Sequence, residues 1–209
     1  MIIAVDGPTA SGKGTIAKAL AAHFGLPVLD TGLLYRAVGY QTQLDHGDPD
    51  NSADALAACD FPDDLLEDPA LRYESTGSLA SRVSVHPAVR AALLRRQVDF
   101  ANQPGGAVLD GRDIGTVIAP HADAKLFVTA SAEERARRRH AEMVGRGVDI
   151  SFDAVLADVH ARDARDTGRA EAPLMRAPDA KLLDNTDMDR DAALAAAIAF
   201  VEERRKGRG

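Results

Sequence analysis

Short apolar runs alternate along the chain with longer segments of helical periodicity. The runs that could form buried strands are Ile2–Asp6, Val28–Asp30, Ala107–Asp110, Lys125–Thr129 and Lys181–Asp184. The first segment between runs repeats apolar residues at helical spacing, with Ile16, Leu20 and Phe24 on one face. Strands that alternate with helices are typical of a parallel sheet built from βαβ units. The pattern therefore predicts an α/β fold, with a five-stranded parallel sheet wrapped by helices.

The helical segments have recognisable beginnings and ends. The predicted helices are Lys13–Phe24, Leu33–Leu44, Pro87–Asn102, Ser131–Val144, Phe152–Thr167 and Arg190–Arg205. Residues 45–85 break the alternation, because they are acidic, rich in turn residues and only weakly periodic. They predict a small insert over the edge of the sheet. Two glycines, Gly145 and Gly147, precede a charged helix and predict hinge points for a mobile lid over about 139–170.

Polar residues collect where the predicted strands end. Four of the five runs finish with an aspartate, namely Asp6, Asp30, Asp110 and Asp184. In open parallel sheets, ligands bind at the carboxyl ends of the strands. We therefore expect the functional residues at this edge of the sheet.

A glycine-rich segment follows the first predicted strand and leads into the first predicted helix. It consists of Gly7, Pro8, Thr9, Ala10, Ser11, Gly12, Lys13, Gly14 and Thr15. In this context the spacing is typical of a P-loop, whose backbone N–H groups and helix N-terminus bind phosphates. Lys13 can reach the β- and γ-phosphates of a nucleoside triphosphate. The segment predicts a phosphotransferase with a P-loop core; the alternative is a glycine turn without a ligand.

The segment departs from the strict P-loop pattern at one position. Gly14 stands directly after Lys13, where the pattern has Ser or Thr, and Thr15 comes one place later. We therefore expect the Thr15 hydroxyl to contact Mg²⁺ through water. Asp110 ends the third predicted strand, where P-loop enzymes often have a carboxylate that holds metal-bound water. It is the second candidate metal contact.

Two further strand ends carry arginine beside small or acidic residues. After the second strand, Thr31 could face an anion and Arg36 could fork onto a phosphate. An ordinary helix cap with a surface arginine explains this segment equally well. After the third strand, Gly111 allows a tight turn from which Arg112 and Asp113 project. A turn closed by a local Arg–Asp pair is the alternative there.

Two helices carry basic residues close to these strand ends. At ~100° per residue, Arg162, Asp166 and Arg169 point into an arc of ~60° beside the apolar stripe, where a ligand could be met. A solvated ladder of ion pairs that includes Asp158 is the alternative. The other basic run follows the fourth strand and contains Arg135, Arg137, Arg138 and Arg139, of which one or two could close over a triphosphate, although a charge run is usually a solvated face.

Composition narrows the classes of function. The net charge of -7 argues against a general nucleic-acid binder. The chain has one cysteine, Cys59, and its six histidines have no metal-binding spacing, so neither a disulfide framework nor a zinc site is expected. No stretch approaches the ~20 apolar residues that span a bilayer. The 209 residues suit one domain, and we expect a cytoplasmic monomer.

The motifs, in their order, resemble those of the bacterial cytidylate kinases, which are P-loop nucleoside monophosphate kinases. The resemblance is carried by GPTASGKGT, DTGLLYR, LASRVSVHPAVRAALLRRQ, DGRDIGT, ASAEERARRR and RDARDTGRAEAPL, from Ile2 to about Asp187. It implies transfer of the γ-phosphoryl group of ATP to CMP or dCMP with Mg²⁺. It also implies that the insert at 45–85 binds CMP.

The resemblance also implies roles for individual residues. Arg36, Arg112 and Arg169 would hold the acceptor phosphate and, with Lys13, form the catalytic set. Ser81, Arg90 and Asp113 would read the cytosine edge. Arg162 and Asp166 would hold the sugar hydroxyls, and Arg138 or Arg139 would lie near the ATP.

Two other functions stay open at this point. A kinase for UMP, AMP or a small hydroxylic metabolite would use the same phosphate-binding loop. A nucleotide-dependent switch would also use it, but a GTP switch should carry an N-K-x-D motif that reads the base. The nearest segment, Asn185-Thr186-Asp187, lacks the lysine.

Overall fold

The computed structural model describes residues 1–207 of the chain, apart from the side chain of Glu74. The strands are β1 (Ile2–Asp6), β2 (Val28–Asp30), β3 (Ala107–Gly111), β4 (Ala124–Thr129) and β5 (Lys181–Asp184). They form one five-stranded sheet in the order β2-β3-β1-β4-β5. Strand β1 pairs in parallel with β3 and β4, and β4 pairs in parallel with β5. The predicted fold class is confirmed, and β1, which leads into the glycine-rich loop, occupies the centre.

The described part of the chain contains eight α-helices. They are α1 (Lys13–Phe24), α2 (Thr31–Leu44), α3 (Ser52–Ala57), α4 (Glu74–Val83), α5 (Pro87–Ala101), α6 (Ala132–Gly145), α7 (Phe152–Thr167) and α8 (Arg190–Lys206). The six predicted helices correspond to α1, α2, α5, α6, α7 and α8, with ends that differ by at most two residues. Helices α3 and α4 lie in the segment where the sequence predicts only an insert.

The chain divides into two compact units. The first contains Met1–Val28 and the chain from Ala101 onward. Its core lies between the sheet and two helices, because apolar residues of β1, β3 and β4 pack with those of α1 and α8. Val5, Leu20 and Val201 are representative, and each is almost completely buried. Such continuous burial is typical of parallel strands covered by helices.

The second unit, Leu29–Phe100, is mainly helical. Its core includes Leu34 and Val38 of α2, Leu71 of a short 3₁₀ segment and Val89 of α5. Within this unit the residues of the predicted insert form α3, three short 3₁₀ segments and α4. The weak periodicity of the insert therefore reflects short helical pieces rather than strands.

Helices α6 and α7 follow one another in the chain and are joined by the segment 146–151. Ala136 and Met143 of α6 pack against Val155 and Val159 of α7 in a small apolar cluster. Both helices begin with a serine that caps them, since Ser131 Oγ accepts the Glu134 N–H and the hydroxyl of Ser151 acts in the same way. This pair coincides with most of the predicted lid, whose mobility stays a prediction.

Candidate active site

The glycine-rich loop connects the end of β1 with the start of α1. Lys13 is the first residue of α1, and the Gly12 carbonyl accepts the N–H groups of Thr15 and Ile16. The loop amides therefore stand at a helix N-terminus, where the unpaired N–H groups and the helix dipole favour an anion. This is the geometry that the sequence predicts for a phosphate-binding loop.

Three residues give the loop its unusual backbone path. Gly12 has a left-handed φ of 85°, and Ala10 has a left-handed φ of 57° although it carries a Cβ. Gly7 faces a different restriction, since a Cβ at this position would collide with the carbonyl oxygen of Val128 on β4. Substitution of either glycine would therefore require the loop to move.

Lys13 and Asp110 come together at the ends of α1 and β3. The Lys13 Nζ lies 3.4 Å from Asp110 Oδ1, and both side chains are largely buried. A Cβ on Gly14 would come within 3.0 Å of Asp110 Oδ2, so the carboxylate lies directly over the start of α1. Asp110 thus stands beside the loop, as the sequence predicts for a residue that holds metal-bound water.

Three of the predicted acceptor residues form one buried ion-pair network. The Arg112 Nε donates to Asp166 Oδ2 at 2.7 Å. Arg169 forms an ion pair with the other carboxylate oxygen of Asp166, with a distance of 3.7 Å between Arg169 Nη2 and Asp166 Oδ1. Burial pushes the pKa of the Asp166 carboxyl upward, but the charges of Arg112 and Arg169 outweigh it and hold the pKa below its usual range. Asp166 is therefore an ionised group that orients two guanidinium groups.

Arg162 extends this network one turn earlier on α7. Its Nε lies 2.8 Å from Asp158 Oδ2, and its side chain is buried while that of Asp158 is not. Burial lowers the pKa of the Arg162 guanidinium, and the nearby Asp158 carboxylate opposes that shift. The ladder of charges that the sequence offered as an alternative thus exists, but its members Arg162 and Asp166 face the protein interior rather than solvent.

Asp113 lies in the turn that follows Arg112. Its side chain is buried, and its backbone carbonyl accepts from the N–H groups of Val117 and Ile118. The turn is a single π-type segment, Ile114–Ile118, that begins directly after Asp113. The sequence offered a local Arg112–Asp113 pair as the alternative for this turn; Arg112 donates to Asp166 Oδ2 and to the Gly111 carbonyl.

The remaining predicted acceptor residues belong to the second unit. Thr31 is buried at the start of α2, and Arg36 on the same helix donates to the carbonyls of Leu71 and Tyr73 at 2.9 Å each. Ser81 lies on α4. Arg90, on α5, is buried with its guanidinium 5.7 Å from the centre of the Tyr35 ring. Their roles toward a ligand stay predictions.

The structure distinguishes the two candidate arginines of α6. Arg138 donates to Asn185 and Glu134 and lines a cavity of about 290 Å³ beside the loop. The cavity is also lined by Gly12, Thr15, Met188, Asp189, Arg190 and Ala193. Arg139 instead donates to Glu142 on its own helix. Arg138 therefore stands beside the loop.

Three residues outside the predicted set of site residues contact the loop or its neighbouring turn. Asn185 and Arg135 donate to loop carbonyls, at 2.9 Å to Ser11 and 3.3 Å to Thr9 respectively. Arg135 is buried and also makes a two-pronged ion pair with Asp163 of α7. Its guanidinium thus connects the loop with the helix that carries Arg162 and Asp166.

Asp6 is the third such residue and lies at the end of β1. Its carboxylate oxygens accept the N–H groups of Ile114 and Gly115, each at 2.8 Å. Burial raises the pKa of Asp6 to about 7, and the two N–H donors only partly oppose this. Asp6 therefore ties the central strand to the turn that follows Arg112 and Asp113.

A sequence signal was available for two of these residues. Asp6 is one of the aspartates that end a predicted strand, and Asn185 directly follows Asp184 at the end of β5. The rule that ligands bind at the carboxyl ends of strands covers both positions. Arg135 belonged to the predicted basic run, but the sequence could not distinguish it from Arg137, Arg138 and Arg139, which have the same side chain and a different exposure.

Residues 1–207 contain neither a helix suited to a bilayer nor a preformed cluster of metal ligands. No described helix is both long and apolar enough to cross a bilayer. The described part of the chain also holds no group of three or more His, Cys, Asp or Glu side chains placed to bind a metal. The carboxylate of Asp110 and the hydroxyl of Thr15 are hard oxygen ligands, which suit Mg²⁺ that is held mainly by substrate phosphates and water.

Comparison with known proteins identifies the family. The family model described as "Cytidylate kinase" matches residues 3–203. The cytidylate kinase of Xanthobacter autotrophicus is 57% identical over 208 residues, which cover 100% of both chains. The cytidylate kinase of Caulobacter vibrioides is 55% identical over 207 residues, which cover 98% of this chain and 96% of the relative.

A solved structure shares the fold over nearly the whole chain. An uncharacterised protein from Eubacterium ventriosum superimposes with a TM-score of 0.56 at 16% sequence identity. The match covers 97% of this chain and 98% of the other. At this level of identity the likeness concerns the fold alone.

Proposed function

We propose how this chain, which belongs to the cytidylate kinase family and is a phosphotransferase with cytidylate kinase activity, transfers the γ-phosphoryl group of ATP to CMP or dCMP. The proposal assigns a role in this reaction to each residue of the site. The observation that carries the proposal is the placement of Lys13 and the Arg112–Asp166–Arg169 network in one compact unit. Phosphoryl transfer between two nucleotides requires groups that bind two sets of phosphates. The loop can bind the phosphates of the donor, and the arginines can bind the phosphate of the acceptor.

The donor side consists of the loop from Gly7 to Thr15. Backbone N–H groups at the start of α1 bind the β- and γ-phosphates, and Lys13 follows the charge that moves to the leaving oxygen. The base of ATP occupies the cavity beside Arg138, since this cavity adjoins Gly12 and Thr15.

Magnesium fits the ligands that this side offers. Asp110 and Thr15 would hold the ion through its water molecules, while the phosphates supply most of its direct ligands. When bound, the ion neutralises charge on the β- and γ-phosphate oxygens. Lys13, 3.4 Å from Asp110, keeps that carboxylate directed toward the loop.

The acceptor side consists of arginines. Arg112 and Arg169 bind the phosphate of CMP, and Asp166 holds their guanidinium groups in place. Arg36, in the second unit, keeps the phosphate-binding role that the resemblance gives it. The attacking group is a phosphate oxygen that is already ionised at pH 7, so the protein needs to neutralise and align rather than to remove a proton.

The base and sugar contacts follow from the chemistry of the acceptor. Asp113 is an acceptor for the exocyclic amino group of cytosine, a donor that uracil lacks. Ser81 and Arg90 complete the set that reads the cytosine edge. Asp166 and Arg162 bind the sugar hydroxyls, so these residues would affect the choice between CMP and dCMP.

We also propose that residues 45–85 bind CMP and that about 139–170 form a lid. For the whole molecule, we propose a cytoplasmic monomer. A kinase specific for UMP or AMP is the remaining alternative for the acceptor.

The test is a coupled assay that measures ADP formation with CMP, dCMP, UMP and AMP as acceptors. We expect CMP and dCMP to have the highest kcat/KM. A higher kcat/KM for UMP or AMP would contradict the proposal. Hydrolysis of ATP to phosphate without transfer to any acceptor would instead favour the nucleotide-dependent switch.

A further inference from the structure

Asn185 joins the loop to Arg138 through both ends of its side-chain amide. It directly follows β5 and is 4% exposed. Its Nδ2 donates to the carbonyl oxygen of Ser11 at 2.9 Å, and its Oδ1 accepts from Arg138 Nη1 at 2.9 Å. The backbone of Asn185 is fixed as well, because its N–H donates to the Thr129 carbonyl at the end of β4.

The contact with Ser11 determines the direction of a peptide plane. In a trans peptide the carbonyl of one residue and the N–H of the next point in opposite directions, and no peptide bond among the described residues is cis. Asn185 holds the Ser11 carbonyl toward β5, so the N–H of Gly12 is directed to the opposite side. Glycine makes this plane easy to rotate, because Gly12 can adopt positive or negative φ without steric cost.

The contact with Arg138 fixes a residue that lines the cavity beside the loop. Arg138 donates to the Asn185 side chain through Nη1 and to the Asn185 carbonyl through Nη2 at 2.8 Å. Its Nε donates to Glu134 one turn earlier on α6 at 2.9 Å. The guanidinium is planar and rigid, so three such contacts leave it little freedom to reorient.

We propose that Asn185 is a positioning residue for the phosphoryl donor. It keeps the Gly12 N–H directed into the phosphate-binding loop, and it keeps Arg138 at the wall of the adjoining cavity. The inference rests on the proposed transfer from ATP to CMP, and it predicts that Asn185 affects the donor far more than the acceptor.

The test compares Asn185→Asp with Asn185→Ala. Asn185→Asp retains an acceptor for Arg138 but places a carboxylate oxygen against the Ser11 carbonyl. The Ser11 carbonyl therefore loses its side-chain hydrogen-bond donor. Asn185→Ala loses both contacts. Binding of ATP and of ADP is measured by calorimetry without acceptor, and KM values for ATP and CMP are measured in the coupled assay. Asn102→Ala, an exposed asparagine far along the sequence from the loop, is the matched control.

We expect both variants to bind ATP about tenfold more weakly, as the loss of a hydrogen bond to a positioned group implies. The KM for CMP should change less than twofold. If Asn185 had only a structural role, the variants would have a lower melting temperature and would bind ATP and CMP equally more weakly. That result would overturn the proposal. It would also be overturned if Asn185→Asp bound ATP as tightly as the unaltered protein. If one variant does not fold, the other still gives both comparisons.

The calorimetric measurement of ATP binding tests this inference separately from the proposed function. If the unaltered protein binds ATP but does not phosphorylate CMP, the proposed acceptor is wrong. The effect of Asn185 on ATP affinity is still measured in that case, and an unchanged affinity overturns the inference.

Discussion

The proposed donor loop and the proposed acceptor network of Arg112, Asp166 and Arg169 offer an anion two different kinds of group within the same unit. The loop offers main-chain N–H groups, and side chains such as Asn185 and Arg135 act on it only through its carbonyls. The acceptor network offers the side chains themselves, since Arg112 and Arg169 flank Asp166 directly. The difference implies that substitutions remove acceptor contacts outright but can disturb most donor contacts only indirectly. Lys13 is the exception on the donor side.

The largest effect is expected from Arg112→Ala. It removes a guanidinium from the acceptor phosphate and leaves Asp166 without its 2.7 Å partner. Arginine contacts to a transferring phosphoryl group are worth about 10³-fold or more, so kcat/KM for CMP should fall by about that factor. Steady-state kinetics with varied CMP and varied ATP measures it.

Two further variants make the Arg112 result specific. Arg112→Lys keeps the charge but loses the planar fork, so it should recover only part of the rate. Arg95→Ala removes an arginine whose side chain is 91% exposed and should leave the kinetics unchanged. A near-normal kcat/KM in Arg112→Ala would remove Arg112 from the site.

Lys13→Ala tests the single side chain that the donor loop contributes. Loss of one group that stabilises charge in the transition state typically costs about 10²–10³-fold in kcat. The KM for CMP should change much less than in Arg112→Ala, because Lys13 follows the donor phosphates. Lys18→Ala is the matched control, since Lys18 is exposed on the same helix. Equal losses in the two lysine variants would show that α1, rather than Lys13, is being disturbed.

A smaller effect, on selectivity, is expected from Asp113→Asn. The amide can donate to the uracil carbonyl, whereas the carboxylate accepts from the cytosine amino group. Hydrogen bonds to a charged group contribute about 1.5–3 kcal/mol, so the preference for CMP over UMP should fall by about one to two orders of magnitude. The ratio of kcat/KM values measures it, with Asp99→Asn, on exposed α5 surface, as control. An unchanged ratio would exclude Asp113 as a reader of the base.

The smallest effect concerns pH and Asp6. Its pKa is about 7 in the folded protein, against an ordinary value of 3.8. Between these values the folded state binds the proton more tightly, so the free energy of unfolding falls as pH rises, by at most about 1.4 kcal/mol per pH unit. Asp6→Asn cannot lose a proton and should lack this contribution.

Urea unfolding of both proteins at pH 5, 6, 7 and 8 checks the sign. The unaltered protein should lose stability relative to Asp6→Asn up to about pH 7, and the difference should then level off. A relative gain in stability as pH rises would mean that the carboxylate is better stabilised in the fold than its burial implies.

The sequence predicted the sheet and the loop because both depend on local features. The apolar runs matched the strands within one residue at either end, and Gly7 to Thr15 formed the loop that its spacing indicates. Family motifs also gave Arg112 and Arg169 one role, toward the acceptor phosphate, and both arginines pair with Asp166, which the motifs assigned to the sugar hydroxyls.

The sequence could not predict contacts between residues far apart in the chain. Nothing local indicates that Asn185 reaches Ser11, since 174 positions separate them. At the start of α6, Ser131-Ala132-Glu133-Glu134 is a capping-box sequence, which predicts that Glu134 binds the Ser131 amide. The Glu134 side chain instead binds Arg138 and Arg137. The Ser131 amide donates to Thr186 Oγ1. Tertiary contacts thus overrode a valid local pattern.

We expect the buried Arg135 to make the affinities of the two proposed nucleotide sites interdependent. One guanidinium contacts the Thr9 carbonyl, just before the left-handed Ala10, and the Asp163 carboxylate, next to Arg162 on α7. A ligand that immobilises either end therefore leaves less disorder for the second ligand to remove. Such cooperativity is reciprocal by thermodynamic necessity: whatever factor ATP adds to the affinity for CMP, CMP adds to the affinity for ATP.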